Sequence, residues 1–121
     1  MSKTNENSNI ELIRGDTLKL KFLRKNKKGE IITTKPDKLY FTVKTNYYSK
    51  NYLFQKVLGK DIIYSEQDNY YRFTINPDDT NNLSYGFYVY DIEVVTGSIV
   101  KTIAKGNLDI KEEVTFVENE V

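Results

Sequence analysis

Thr17-Leu18-Lys19-Leu20-Lys21-Phe22 alternates apolar and polar residues without a break. In an extended chain this puts Leu18, Leu20 and Phe22 on one face and Lys19 and Lys21 on the other, the mark of a strand with one side on a core. The same period of two recurs outward from this stretch. Residues 39–44 point Leu39, Phe41 and Val43 inward, residues 70–75 align Tyr71, Phe73 and Ile75, and residues 85–95 align Tyr88, Tyr90, Ile92 and Val94. Ile10, Leu12 and Ile13 make a short first strand and residues 61–64 a short later one. Residues 99–104 read as a return strand that continues over 107–110 beyond a break at Gly106, taken as a bulge. Residues 47–58 are aromatic and less regular, a strand with a distorted entry. Val114, Phe116 and Val117 offer one last pairing.

The segments between these runs carry turn chemistry. Lys28-Gly29-Glu30 closes a turn that begins at Arg24, and Thr96-Gly97-Ser98 is a hairpin by composition. Pro77-Asp78-Asp79-Thr80 reads as a single helical turn capped by Asn76. Arg14-Gly15-Asp16 is the tripeptide that integrins read, but its expected role is a tight turn with Gly15 at positive φ. Seven to nine short strands result, with no sustained helical period and no internal repeat. Two packed antiparallel sheets are the expected solution. The organisation that follows is a polar tail over 1–9, one sandwich domain over 10–117 and an acidic tail over 118–121.

Composition narrows the function classes. The 121 residues suit one domain, and ten Tyr and six Phe supply large rings for a core and for contact surfaces. Without cysteine there is no disulfide framework and no thiolate chemistry, and without histidine the usual general base is missing. The carboxylates Asp78, Asp79, Asp91 and Glu93 sit in a turn and a strand, where solvated caps are the usual role, so no catalytic residue and no enzyme activity is expected. Asn76, Asp78 and Asp79 are oxygen ligands of the kind calcium takes, but their spacing does not fit an EF-hand loop, so no metal and no cofactor is expected. No apolar run approaches the ~20 residues of a membrane span. The polar start, Met1 to Asn9, lacks a secretory signal pattern, which points to the cytoplasm and leaves the Asn82-Leu83-Ser84 sequon without meaning.

The net charge of +1 is unevenly spread. Residues 14–60 hold thirteen Lys or Arg against three acids, a balance of +10, while 61–106 and 107–121 balance at −4 each. Such asymmetry suits nucleic-acid binding, or a dipolar subunit whose basic side meets a neighbour's acidic side. Lys outnumbers Arg fifteen to three, the usage of an AT-rich coding sequence, which lowers its weight as a binding signal. Lys25, Lys27 and Lys28 at a hairpin tip read as a soluble turn before a phosphate contact. Tyr47, Tyr48, Tyr52 and Phe54, beside Lys44 and Lys50, form the most informative cluster. Three roles are open to it: core rings of one sheet, anchors of a protein contact, or a stacking platform for bases or sugars.

Tyr88 carries a different signal. It follows a loop that crosses a corner and starts a long strand, the place where immunoglobulin-type sandwiches turn a Tyr hydroxyl back onto the upstream loop. Tyr90 then takes the inward position of the second cysteine of antibody domains. Five stretches come in a suggestive order: Arg14-Gly15-Asp16-Thr17, Phe41-Thr42-Val43-Lys44, Thr74-Ile75-Asn76-Pro77-Asp78-Asp79-Thr80, Gly86-Phe87-Tyr88-Val89-Tyr90-Asp91-Ile92 and Thr102-Ile103-Ala104-Lys105-Gly106. That order resembles the small immunoglobulin-like β-sandwich proteins of tailed bacteriophages and prophages of low-GC Gram-positive hosts, over about residues 10–115. The resemblance implies an accessory or structural virion part in the tail, baseplate, neck or head. It would be made in the bacterial cytoplasm and act through contacts with other virion proteins or its own copies, with no small-molecule substrate. An adhesin-like module for a cell-surface glycan or protein is the alternative, and a small nucleic-acid-binding protein using residues 14–60 a lesser one. Unprotected sheet edges at residues 10–13 and 114–117 are the expected places of self-assembly.

Overall fold

The computed structural model describes residues 9–114. Its elements in chain order are β1 (Ile10–Ile13), β2 (Leu18–Phe22), β3 (Lys38–Lys44), β4 (Phe54–Val57), β5 (Ile63–Tyr64), β6 (Tyr71–Ile75), a single helical turn α1 (Pro77–Thr80), β7 (Gly86–Thr96) and β8 (Ile99–Lys111). The fold is all-β. One sheet has five strands in the order β1-β8-β7-β3-β4, the other three in the order β2-β6-β5.

The two inner faces meet in one core. Leu39, Phe41 and Val43 of β3 and Tyr90, Ile92 and Val94 of β7 face Tyr71, Phe73 and Ile75 of β6, all buried. Phe41 is the pivot. Its ring centroid lies 4.7 Å from that of Phe73 in the opposite sheet, and 5.3 and 6.4 Å from those of Tyr90 and Phe54 in its own. Tilted aromatic pairs at such distances add to area burial, so emptying this site by Phe41→Ala should cost about 3–5 kcal/mol. Leu12, Ile62, Leu108 and Ile110 complete the buried set. Leu12 and Ile62 lie in short or irregular segments, where alternation is too brief to read, while Leu108 and Ile110 alternate at the end of the long strand β8.

Several expectations need correction. The β1–β8 pairing is parallel, Ile10 opposite Leu108 through Ile13 opposite Lys111, so the sheets are not wholly antiparallel. The reason lies in the turn after β1, which sends the chain to β2 in the other sheet and leaves β1 running alongside β8. Residues 47–58 are a strand only from Phe54. The earlier part is a loop, because the Asn46 side-chain oxygen takes the Tyr48 amide at 2.9 Å and bends the chain. Gly106 is not a bulge; it pairs in register with Tyr90, and the irregularity falls between Ile92 and Glu93, opposite Ala104 and Thr102. Leu18, Leu20, Phe22 and Tyr88 are half-buried flanks of the core rather than its centre. β2 is an edge strand, and Tyr88 turns its hydroxyl outward to the loop before it. Phe116 and Val117 lie outside the described residues, as does nearly all of the tail over 1–9. Val114 belongs to no strand.

Candidate functional site

The tyrosine cluster divides in two. Phe54 opens β4, is 8% exposed and belongs to the core, so it is not a contact residue. Period two explains this, since Phe54 and Lys56 share the inward face of β4. Tyr47, Tyr48 and Tyr52 stand in the β3–β4 loop at 55%, 93% and 54% exposure. The loop is shaped by Asn46, whose side-chain oxygen accepts from the Tyr48 amide and from Ser49 Oγ. Leu53 N–H bonds the Val43 carbonyl at 2.7 Å and returns the chain to the sheet. Lys105 of β8 places its Nζ 5.7 Å from the Tyr47 ring centroid, within cation–π range. The arrangement offers three exposed rings on one loop, one of them beside a cation.

Tyr88 lies on β7, and its hydroxyl donates to the Ser84 carbonyl at 2.6 Å. Beside this corner, Arg14 is occupied. Its Nε donates to Glu113 Oε1 at 3.1 Å, and its other nitrogens donate to the Leu83 carbonyl and the Tyr85 hydroxyl at 3.1 Å. Tyr85 in turn donates to Glu113 at 2.9 Å. Burial alone would raise the Glu113 carboxyl; the hydrogen bonds from backbone, Tyr85 and Arg14, with the guanidinium charge, hold it below its usual value. Gly15 has φ +85° and gives its amide to Thr80 Oγ1 at 3.0 Å, while Asp16 N–H closes the turn on the Ile13 carbonyl. The Arg14-Gly15-Asp16 segment is thus a structural joint between β1 and β2.

The cations of residues 14–60 do not form one surface. Lys56 is 6% exposed and pairs with Asp79 at 2.7 Å. Lys21 lies 4.5 Å over the Tyr70 ring. The hairpin tip is organised by Asn26, whose side-chain oxygen accepts the amides of Lys28 and Glu30, leaving Lys27 and Lys28 in solvent. Sequence reasoning passed over Asn26, although an Asn three residues before a Gly is the usual start of such a turn.

It also passed over a cleft of about 890 Å³ between the sheets at the end opposite Tyr88. Phe22, Val94 and Ile103 form its apolar floor, and Lys21, Arg24, Lys25 and Lys101 stand around it. No acidic residue lines it. Arg24 NH1 donates to the Thr34 carbonyl at 3.2 Å, whereas its Nε is buried without a hydrogen-bond partner. No single strand carries this charge, so no local motif announces it. Among the described residues no group of three His, Cys, Asp or Glu side chains is placed to hold a metal ion, and no helix is long and apolar enough to cross a membrane.

The chain matches no protein-family model, and no curated protein aligns with it significantly.

Proposed function

We propose that this chain is a non-enzymatic structural or accessory part of a phage or prophage virion, built as an immunoglobulin-like sandwich and working through protein contacts. The reading starts from the ordered motifs between Arg14 and Gly106. The observation that carries it further is the conjunction of strand order and corner. Taken as the G-F-C-C′ and B-E-D strands of a variable-type domain, β8-β7-β3-β4 and β2-β6-β5 fall in the required order, with β1 added beside β8. In the same scheme Tyr88 stands near the start of the F strand, two residues before inward-facing Tyr90, with its hydroxyl on an upstream carbonyl. A sequence without His or Cys, carrying exposed aromatics on a loop and open sheet edges, is equipped for association rather than chemistry.

Purified particles from an induced lysogen that encodes this chain provide the test. Quantitative mass spectrometry should find the protein at a fixed ratio to the major structural proteins after density-gradient purification. Absence from the particles, with the protein abundant in the lysate, overturns the reading.

One observation favours an adhesin-like module instead: Tyr47, Tyr48 and Tyr52 present exposed rings on one loop, Tyr47 beside Lys105, which suits a glycan or peptide contact. Host-cell binding lost in Tyr48→Ala, with stability unchanged, would support this alternative.

A further inference from the structure

Two strand edges lie open on the same side of the molecule. β2 pairs only with β6, and β1 covers β8 only from Leu108 to Lys111, so among the described residues β8 before Leu108 has no strand on its outer edge. Both open edges bound the cationic cleft. A cleft of this size, apolar at its floor and bounded by the open outer edges of β2 and β8, suits an extended segment added as a further strand. Its charge sets the occupant's chemistry. Four cations without a lining acid, and a buried Arg24 Nε without a partner, call for carboxylates.

We propose that the cleft receives residues 114–121 of a second copy of this chain. The proposal rests on the assembly reading above and names its contact. The segment Val114-Thr115-Phe116-Val117-Glu118-Asn119-Glu120-Val121 has apolar side chains for the floor, two carboxylates for the cations and no basic residue. Val114, at its start, is 93% exposed. Its own molecule is a poor donor. Arg14 and Tyr85 hold Glu113 at the far end of β8. From Lys111, Lys101 lies ten residues back along β8, about 33 Å, and Glu118 lies seven residues onward, at most about 25 Å. Even fully stretched and turned back past β1, the segment leaves Glu118 short of Lys101. A neighbour supplies it freely. Such a head-to-tail contact repeats from copy to copy and makes rings or filaments.

The test uses three proteins: the full chain, a chain lacking residues 115–121, and the full-length double variant Lys21→Glu/Lys101→Glu. In sedimentation at low salt the full chain should associate and fall apart as salt rises, while the other two stay monomeric. Mixed together, those two should form a one-to-one complex, since the first keeps the cleft and the second keeps the segment. A labelled peptide of residues 112–121 should bind the shortened chain, and at least tenfold more weakly when that chain also carries the two reversals. Urea midpoints show whether the variant is folded; if it is not, Lys21→Gln/Lys101→Gln replaces it. Monomers throughout, association that survives either change, or equal binding of a poly-glutamate peptide of the same length overturns the proposal. None of these outcomes touches the presence of the protein in particles, which tests the broader reading separately.

Discussion

Lys56 of β4 and Asp79 of α1 form an ion pair at 2.7 Å that ties the edge of the five-stranded sheet to the turn leaving the three-stranded one. The same Asp79 oxygen accepts the Asn76 amide at 2.7 Å, so one carboxylate oxygen serves both the pair and the start of the helical turn. The side chains are 8% and 18% exposed, little enough that water screens the pair weakly.

Removing one partner leaves the other charge half stranded. Lys56→Met and Asp79→Asn should each cost about 2–3 kcal/mol, below the ~3–5 of a fully buried pair because Asp79 keeps some solvent. The double variant should cost clearly less than the sum, with a coupling of about 1–2 kcal/mol in urea melts. Additive losses would show that the pair contributes nothing of its own.

Two tyrosine hydroxyls predict opposite signs. Tyr88 donates to the Ser84 carbonyl, and Tyr88→Phe should lose about 1 kcal/mol. The Tyr71 ring is fully buried, stacked 5.1 Å from Phe22, and its hydroxyl has no hydrogen-bond partner. Tyr71→Phe removes an unpaid desolvation and should be neutral or stabilising by up to about 1 kcal/mol. Equilibrium unfolding of the two variants side by side checks the contrast.

Gly15 should resist substitution. Its φ of +85° is left-handed, and a Cβ there would stand 3.2 Å from Asn81 Oδ1. Gly15→Ala should cost about 1–2 kcal/mol from the backbone alone. Asn81→Ala relieves the contact but not the φ, so adding it should leave at least the backbone part of the loss in thermal melts.

Two carboxyls set opposite pH trends. Glu113 is held below its ordinary 4.5 by bonds that outweigh its desolvation, so its contribution is complete above that value and fades as pH falls through the folded-state pKa. Asp91 is raised from its ordinary 3.8 by burial, against the pull of Lys44 and Lys105. Its ionisation therefore costs stability as pH rises past that value. Glu113→Gln should flatten the acid limb of the stability profile. Asp91→Asn should match the parent at low pH and exceed it near neutrality. Parallel profiles for parent and variants would refute both assignments.

Alternation of apolar and polar residues was enough to place β2, β3, β6 and β7 and the inward faces of the last three, because a strand's faces follow from its own residues. Turn chemistry at Gly15, Pro77 and Gly97 was equally local and equally legible. What no single segment contains, the tertiary structure decided. β1 runs parallel to β8 because the chain changes sheets at Gly15, a choice made by packing between residues about a hundred positions apart. Phe54 is core and Tyr48 surface, although they stand in one aromatic run, because only Phe54 enters the strand that pairs with β3 and sets its ring beside Phe41. The cleft gathers Lys21 of β2 and Arg24 and Lys25 of the segment after it with Lys101 of β8 in the other sheet. Its charge is a sum over two edges, and periodicity along one strand has no means of recording what stands across from it.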